Sequence, residues 1–308
     1  MNDITRFLED LQDQTDSAET RKAYESDLRI FANYLETKGL SIAELRPSQA
    51  RDYVAFLRSR PGRKGPSGRQ ATSSVNRRVS AVSALYRFLF VDTDGAIGNP
   101  FSPVRRSRKK KSTPRPIQPD KIDAILAKAS ASPRDSALLE LFLSSGARLS
   151  ELQQLDRTCF TIHSTTTEDG RKLRFGEFRV LGKGSKERTL FTTESVLQKI
   201  KIYLKGRKDY DPALFVSNRN TRISKRMIEV ILQKYCMRAL VTPENVHALR
   251  HTFATDCANS GMSAYTLKDL LGHEDLETTL LYLKAADQKV RQEYFAAMEA
   301  IDKIRATV

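Results

Sequence analysis

Apolar residues recur every three or four positions along the first part of the chain, which is the spacing of one face of an α-helix. The pattern predicts four helices, over 4–14, 18–38, 47–59 and from Ser73 or Ser74 to about residue 90. Gly39 ends the second helix, Pro47 opens the third, and either serine is a candidate cap for the fourth. The four helices predict an all-α unit over residues 1–104.

The pattern changes after residue 117. Helical spacing continues over 119–130, 134–144 and 149–155, and strand-like segments between 158 and 192 then predict a small β-meander. From Glu194 onward the spacing is helical again. A second unit over 117–308 is therefore mainly α with a small sheet. Its last part, 288–308, is predicted to be an amphipathic helix with apolar positions at Val290, Tyr294, Phe295, Met298, Ile301 and Ile304.

The excess of basic residues indicates what kind of molecule the protein binds. The 308 residues contain 52 Lys and Arg against 37 Asp and Glu, a formal charge of +15. Residues 57–112 alone hold 14 basic and 2 acidic residues. This concentration predicts contact with the phosphates of nucleic acid, although a solvated basic face is the alternative. The candidate contacts are Arg69, Arg77, Arg78, Arg105, Arg106, Arg108, Lys109, Lys110 and Lys111.

The most basic stretch, 105–116, holds seven basic residues among twelve and ends in prolines. This composition is typical of an extended linker between two domains. A nuclear localisation signal would have a similar composition. Between two predicted globular units, a linker that lies along a phosphate backbone is the simpler interpretation.

Other classes of protein are disfavoured. No apolar run reaches the roughly 20 residues that span a bilayer, and the N-terminus lacks the basic and apolar segments of a signal peptide. Three cysteines form no disulfide framework. The sequence thus predicts a cytoplasmic protein without a membrane partner.

Several polar residues of the second unit have the types that catalysis at a phosphate needs. His247, Arg250 and His251 fall at i, i+3 and i+4 on one face of a predicted helix. Alone, each has an ordinary structural explanation. As a set, the polar residues of the second unit can supply an anion clamp, proton-transfer groups and a nucleophile. The members of this set are Arg148, Lys183, His247, Arg250, His273 and Tyr282.

Metal and cofactor sites are not predicted. His247 and His251 have the spacing of a zinc pair, but Ala248 occupies the position of the glutamate in an HExxH motif. The sequence has neither an acidic cluster for a two-metal nuclease nor a Walker-type loop.

The motifs resemble those of the tyrosine recombinase family. They are Gly146-Ala-Arg-Leu-Ser-Glu-Leu152, Gly182-Lys-Gly-Ser-Lys-Glu-Arg188, His247-Ala-Leu-Arg-His-Thr-Phe-Ala-Thr255, Leu271-Gly-His273 and Thr278-Thr-Leu-Leu-Tyr282. The order and spacing match over 117–290, and the basic helical unit is similar to the family's SAM-like core-binding domain. The resemblance implies a C-shaped clamp on duplex DNA with a specific recombination site.

The resemblance also implies roles. Tyr282 is the nucleophile that forms a 3′-phosphotyrosyl link, and Arg148, Arg250 and His273 hold the phosphate oxygens. His247 is the general base, and Lys183 is the general acid, with Lys186 as a weaker candidate. The reaction needs no ATP or metal, because the phosphotyrosyl bond conserves the energy for rejoining.

The resemblance implies a homotetramer as the active assembly, which exchanges DNA strands through a Holliday junction. It also implies that the tail 288–308 docks on a neighbouring protomer. An accessory protein is an optional partner. Size and motifs resemble most closely the Xer-type recombinases. The segments 161–177 and 60–69 are longer than that group needs, which leaves integration or excision of a mobile element as an alternative to chromosome-dimer resolution. A type IB topoisomerase and a non-catalytic DNA-binding protein are the remaining alternatives.

Overall fold

The structure is a computed structural model, and it describes residues 2–14, 18–62, 69–105, 115–167, 169–182, 186–284 and 298. The chain divides into two units, 1–111 and 112–308, each of which has its own hydrophobic core. Within the described residues, no helix is long and apolar enough to cross a membrane.

The first unit is helical, as predicted. Its helices are α1 (Asn2–Gln14), α2 (Ala18–Lys38), α3 (Pro47–Ser59) and α4 (Thr72–Asp92). They bury an aromatic centre in which Phe31 lies edge-on to Tyr53, with ring centroids 5.0 Å apart. The predicted serine cap of α4 is wrong. Its N-cap is Ala71, which makes no side-chain cap, so Ser73 and Ser74 lie inside the first turn.

The second unit combines eight described helices with one sheet. The helices are α5 (Pro119–Ala129), α6 (Pro133–Ser145), α7 (Leu149–Gln154), α8 (Glu194–Lys205), α9 (Lys225–Arg238), α10 (Val246–Asn259), α11 (Ala264–Leu271) and α12 (Leu276–Lys284). The predicted helical positions between 119 and 155 are confirmed to within one residue at each end. α6 is buried on nearly all sides, which fits its apolar sequence and its place in the core.

The sheet is the predicted antiparallel meander. Its strands are β1 (Thr161–Thr166), β2 (Lys172–Leu181) and β3 (Glu187–Thr193), in the order β1-β2-β3. Phe178, Val180 and Leu190 are buried on one face because alternate side chains of a strand point the same way. This register also places Val180 opposite Arg188, a side chain that reaches the site described next.

Three helices near the end of the described chain form a small core of their own. Ala254 and Ala258 of α10 pack with Leu267 and Leu271 of α11 and with Tyr282 of α12. Gly272 ends α11 in the left-handed conformation, at φ +58°. The turn allows the chain to reverse, so that the residue after it, His273, lies beside α10 and α12.

Candidate active site

The structure brings five of the six predicted catalytic residues into one region of the second unit. Arg148 is the N-cap of α7, His247 and Arg250 lie on α10, His273 follows α11, and Tyr282 lies on α12. The sixth, Lys183, is outside the described residues. Lys186, the weaker candidate, precedes β3 and lines a cleft with Arg148 and His273.

Arg250 forms the buried centre of the site. Its side chain is 2% exposed. Nη1 donates to the carbonyl of Gly146 at 2.7 Å, and Nη2 donates to the carbonyl of Leu271. Both carbonyls belong to helix ends, where the last turn leaves acceptors unsatisfied. Burial, together with the neighbouring Arg148 and Arg188, lowers the pKa of Arg250 to about 9, so the guanidinium is still charged at neutral pH.

Arg148 is fixed by a buried carboxylate. Its backbone N–H donates to Glu151 at 2.6 Å, its Nη1 donates to the same carboxylate at 3.0 Å, and its Nη2 donates to the carbonyl of Gly272 at 2.6 Å. Glu151 also accepts two hydrogen bonds from Arg188, at 2.5 and 2.8 Å. One carboxylate therefore orients two arginines.

The hydroxyl of Tyr282 is buried with its helix. The residue is 3% exposed, and its Oη lies 2.7 Å from Nδ1 of His251. The phenol ring is stacked on the ring of His273, with centroids 6.3 Å apart and planes at 14°. His273 is in turn held by Thr279, whose Oγ1 lies 2.9 Å from its Nδ1.

Burial and the nearby arginines, Arg250 above all, disfavour further positive charge in the site. The pKa values of His251 and His273 are lowered to about 4, mainly by burial and then by the nearby cationic groups. The pKa of His247 is lowered for the same reasons. Burial raises the pKa of Tyr282, with Arg250 opposing it. At neutral pH the histidines are therefore uncharged and the phenol keeps its proton.

The site opens onto a cleft of about 720 Å³. Its lining includes four cations and His273 together with four carboxylates: Arg148, Lys186, Arg188, Lys268, Glu187, Asp269, Glu274 and Asp275. Among the described residues, no group of three or more His, Cys, Asp or Glu side chains could bind a metal ion. The arrangement suits an oxyanion with a nucleophile beside it.

The predicted DNA contacts lie in the first unit and the linker. Arg69 and Arg105 are exposed, and Arg77 is 49% exposed although its Nη1 donates to Asp27. Arg78 is only 14% exposed and lies 3.4 Å from the same carboxylate, which favours an internal ion pair over contact with a phosphate. Residues 106–114 are outside the described part of the chain, and they include the candidates Arg106, Arg108, Lys109, Lys110 and Lys111.

Four residues of the site were not among the predicted catalytic set. They are Glu151, Arg188, His251 and Thr279. All four lie inside the motifs that carry the family resemblance, but the sequence alone does not show their contacts. The i, i+3 spacing of Arg148 and Glu151 was the clearest available signal, since such a pair shares one face of a helix.

Comparison with known proteins places the chain in a family. Residues 115–289 match the Phage integrase family, and residues 4–91 match the N-terminal SAM-like domain of phage integrases. Among named proteins, the tyrosine recombinase XerC of Oceanobacillus iheyensis is 31% identical over 94% of each chain. The tyrosine recombinase XerD of Shewanella oneidensis is 28% identical over the same share of both.

Solved structures share the fold. The XerH site-specific recombinase bound to its palindromic difH substrate superposes with a TM-score of 0.71, over 90% of this chain and 80% of that one, at 16% identity. The Tn1549 transposon integrase in complex with transposon DNA gives a TM-score of 0.69, over 96% and 99%, at 19% identity. At these identities the similarity establishes the architecture, with a helical N-terminal domain and a mainly helical catalytic domain.

Proposed function

The chain belongs to the tyrosine recombinases of the phage integrase family, and from that premise we propose that it cuts and rejoins duplex DNA at a specific site through a 3′-phosphotyrosyl intermediate. The observation that carries the proposal is that Arg148 and Arg250 both donate to carbonyls at the end of α11, while His273, the next residue, stacks on the ring of the buried Tyr282. Proteins that only bind DNA have no need of a tyrosine nucleophile beside an anion clamp.

The chemistry follows from the charges. A phosphodiester that is attacked by oxygen gains negative charge on its non-bridging oxygens. Arg148 and Arg250 are oriented by carbonyls and by Glu151 before any substrate arrives, so their remaining N–H groups need little reorganisation. His273 is a further donor, and the family pattern makes His247 the general base.

The leaving 5′-oxygen needs a proton. The resemblance assigns this role to Lys183, with Lys186 as the second candidate. Because the phosphotyrosyl link keeps the energy of the broken bond, a 5′-hydroxyl from another strand can attack it and reseal the DNA. Two such exchanges through a Holliday junction, on a tetramer that joins two sites, complete recombination in this proposal.

The DNA partner is proposed on charge as well as on family. The exposed cations Arg69, Arg77 and Arg105 belong to the segment 57–112, which holds 14 basic and 2 acidic residues. Chromosome-dimer resolution of the Xer type is the proposed role. Integration or excision of a mobile element uses the same chemistry and differs in its DNA sites. An accessory protein is an optional part of either role.

The test is covalent capture on nicked DNA. A nicked duplex library made from genomic DNA lets the short cleaved fragment diffuse away and traps the phosphotyrosyl adduct. The wild-type protein is expected to give a covalent protein–DNA band with EDTA present, and Tyr282→Phe is expected to give none while still binding DNA. A band that persists in Tyr282→Phe would place the nucleophile elsewhere. A bound complex without any band would indicate a non-catalytic binder.

Sequencing of the captured DNA then distinguishes recombination from relaxation. A recombinase is expected to enrich one sequence with two inverted half-sites, whereas a topoisomerase would be captured at many unrelated sequences and would relax supercoiled DNA.

A further inference from the structure

The proton of Tyr282 has a neighbour that the family pattern does not assign. The Oη–Nδ1 distance to His251 is 2.7 Å, and within the described part of the chain this is the only hydrogen bond that the hydroxyl makes. His247, one turn earlier on α10, contacts the ring of His251 edge-on at 4.6 Å between centroids. Its own side chain is exposed, whereas that of His251 is partly buried against α12.

The direction of this hydrogen bond is set by the charges around it. Burial, His247 and Arg250 lower the pKa of His251 to about 4, so the imidazole is neutral at pH 7. The raised pKa of Tyr282 keeps its hydroxyl protonated. The phenol therefore donates, Nδ1 accepts, and the remaining proton of the ring lies on Nε2. This is the arrangement of an acid and a base before proton transfer.

We infer that His251, in place of the His247 that the family pattern assigns, is the catalytic base of Tyr282, and that its Nδ1 takes the phenolic proton as Oη attacks the phosphorus. The inference rests on the proposed function. As the Oη–P bond forms, the P–O5′ bond breaks, and the general acid protonates the 5′-oxygen. In rejoining, the 5′-hydroxyl attacks the phosphorus and gives its proton to the deprotonated general acid, the P–Oη bond breaks, and the imidazolium of His251 returns its proton to the phenolate.

Substrate binding prepares His251 for this step. Among the described residues, the charges that act on the His251–Tyr282 pair are those of His247 and Arg250 on α10, and the neutral ring of His273 stacks on the phenol. A bound phosphodiester places a negative charge against Arg148 and Arg250. That charge favours a protonated imidazole and raises the pKa of His251 toward neutrality, where a general base is most effective.

His247 has a different role in this scheme. Desolvation by its surroundings, and then the charges of Arg250 and Arg148, lower the pKa of His247, and its exposed ring can donate to a phosphate oxygen. Its edge-on contact also restricts the ring of His251. Both histidines are then needed for full activity, but only His251 exchanges a proton with the nucleophile.

The test measures single-turnover cleavage on a nicked duplex recovered by wild-type covalent capture. The proteins are wild type, His251→Gln, His247→Gln and Tyr282→Phe. General-base catalysis contributes on the order of 10²–10⁴-fold. His251→Gln is therefore expected to lower the rate of adduct formation at least about 100-fold at neutral pH. DNA affinity and the melting temperature should be close to those of the wild type.

The pH profile separates a base from a residue that only positions the phenol. In wild type, the rate should rise with pH and level off above the pKa that His251 has in the complex. In His251→Gln this break should be missing, and the rate should continue to rise toward the pKa of the phenol. His247→Gln should keep the break at a lower plateau.

Three results would overturn the inference. The first is cleavage by His251→Gln within about threefold of wild type. The second is slow cleavage with an unchanged pH break, which would make His251 a positioning residue. The third is loss of the break in His247→Gln alone. If His251→Gln fails to fold, His251→Asn provides the same comparison with a shorter side chain. Absence of any wild-type adduct would instead contradict the proposed function, so the two failures are distinct.

Discussion

At the scale of single residues, the site depends on a buried carboxylate that was not among the predicted catalytic residues. Glu151 is 2% exposed and binds both Arg148 and Arg188. Its substitution by glutamine leaves two guanidinium groups without a counter-charge. Removal of one partner of a buried ion pair destabilises a protein by about 3–5 kcal/mol. We expect Glu151→Gln to lower the free energy of unfolding by about that amount at pH 7, as measured by urea denaturation.

The same variant has a pH signature. Burial alone would raise the pKa of Glu151, but the hydrogen bonds and charges of Arg188 and Arg148 outweigh burial and lower it from 4.5. The stability that the carboxylate contributes is thus full at neutral pH and is lost as the pH falls below about 4.5. Glu151→Gln should therefore lose less stability than wild type between pH 7 and pH 4.

Glu229 provides the matched control. It pairs with Arg226 on α9 of the same unit, and the two side chains are 41% and 74% exposed. Exposed pairs contribute about 0–1 kcal/mol, so Glu229→Gln should stay within that range. Equal losses in the two variants would show that Glu151 has no special role.

Residues of this kind were only partly predictable. Arg148, Arg250, His273 and Tyr282 carry chemistry that the sequence motifs display, and the structure brings them together. Arg188 was not predicted because it reaches Glu151 from the sheet, and strand register depends on pairing between distant segments. Contacts across the fold cannot be derived from spacing along one helix.

At the scale of elements, α12 controls both the nucleophile and the histidine beside it. Thr279 and Tyr282 are three residues apart on one buried face of α12, where they contact His273 and His251. In the free protein Nη2 of Arg250, which can only donate, lies 3.4 Å from Nε2 of His273. For His273 to donate from Nε2 to a phosphate instead, its Nδ1 must accept a hydrogen bond. The hydroxyl of Thr279 is placed to donate that bond and so to select the tautomer.

Thr279→Val tests this role because valine has nearly the shape of threonine without the hydroxyl. A buried donor or acceptor that loses its hydrogen bond costs about 1–3 kcal/mol of free energy, and about 1.4 kcal/mol corresponds to a factor of ten in a rate or equilibrium constant. We expect adduct formation to slow about tenfold or more in single-turnover assays. Thr279→Ser keeps the hydroxyl and should cleave at a rate close to wild type. If both variants cleaved alike, the hydroxyl would not orient His273.

Most elements were predictable because their apolar positions have helical or alternating spacing over many residues. The helices over 18–38 and 47–59 have the predicted bounds. The cap of α4 was not predicted, because Ser73 and Ser74 are good caps by type and the packing of the helix starts it at Thr72 instead. Local propensity is the weaker influence where the core fixes a helix.

At the scale of the whole molecule, charge and the C-terminal segment point to assembly on DNA. The two units have separate cores, and the basic stretch lies toward the end of the first. Composition was sufficient to predict a polyanionic partner, because electrostatic attraction depends on charge more than on detailed geometry. It was not sufficient to predict which cations are free, since Arg78 is largely buried against Asp27.

Cooperativity is the property that the segment 288–308 is expected to supply. Apart from Met298 it lies outside the described residues, and its amphipathic spacing is a prediction of the sequence alone. An apolar helical face that docks on a neighbouring protomer couples two binding events, typically by about 5- to 150-fold in affinity. Deletion of 288–308 should reduce this factor toward one. Affinity for a single half-site should change little, because the described site and the basic stretch remain.

The measurement is a gel-shift titration on duplexes with one or two half-sites recovered by covalent capture. Phe295→Asp together with Ile301→Asp is the matched variant, since it keeps the length of the chain and removes only the apolar face. Both proteins should bind the second half-site without cooperativity and should still form the Tyr282 adduct on a single half-site. Cooperativity equal to that of wild type in the deletion variant would contradict docking of the tail, and assembly would then depend on surfaces of the described helices.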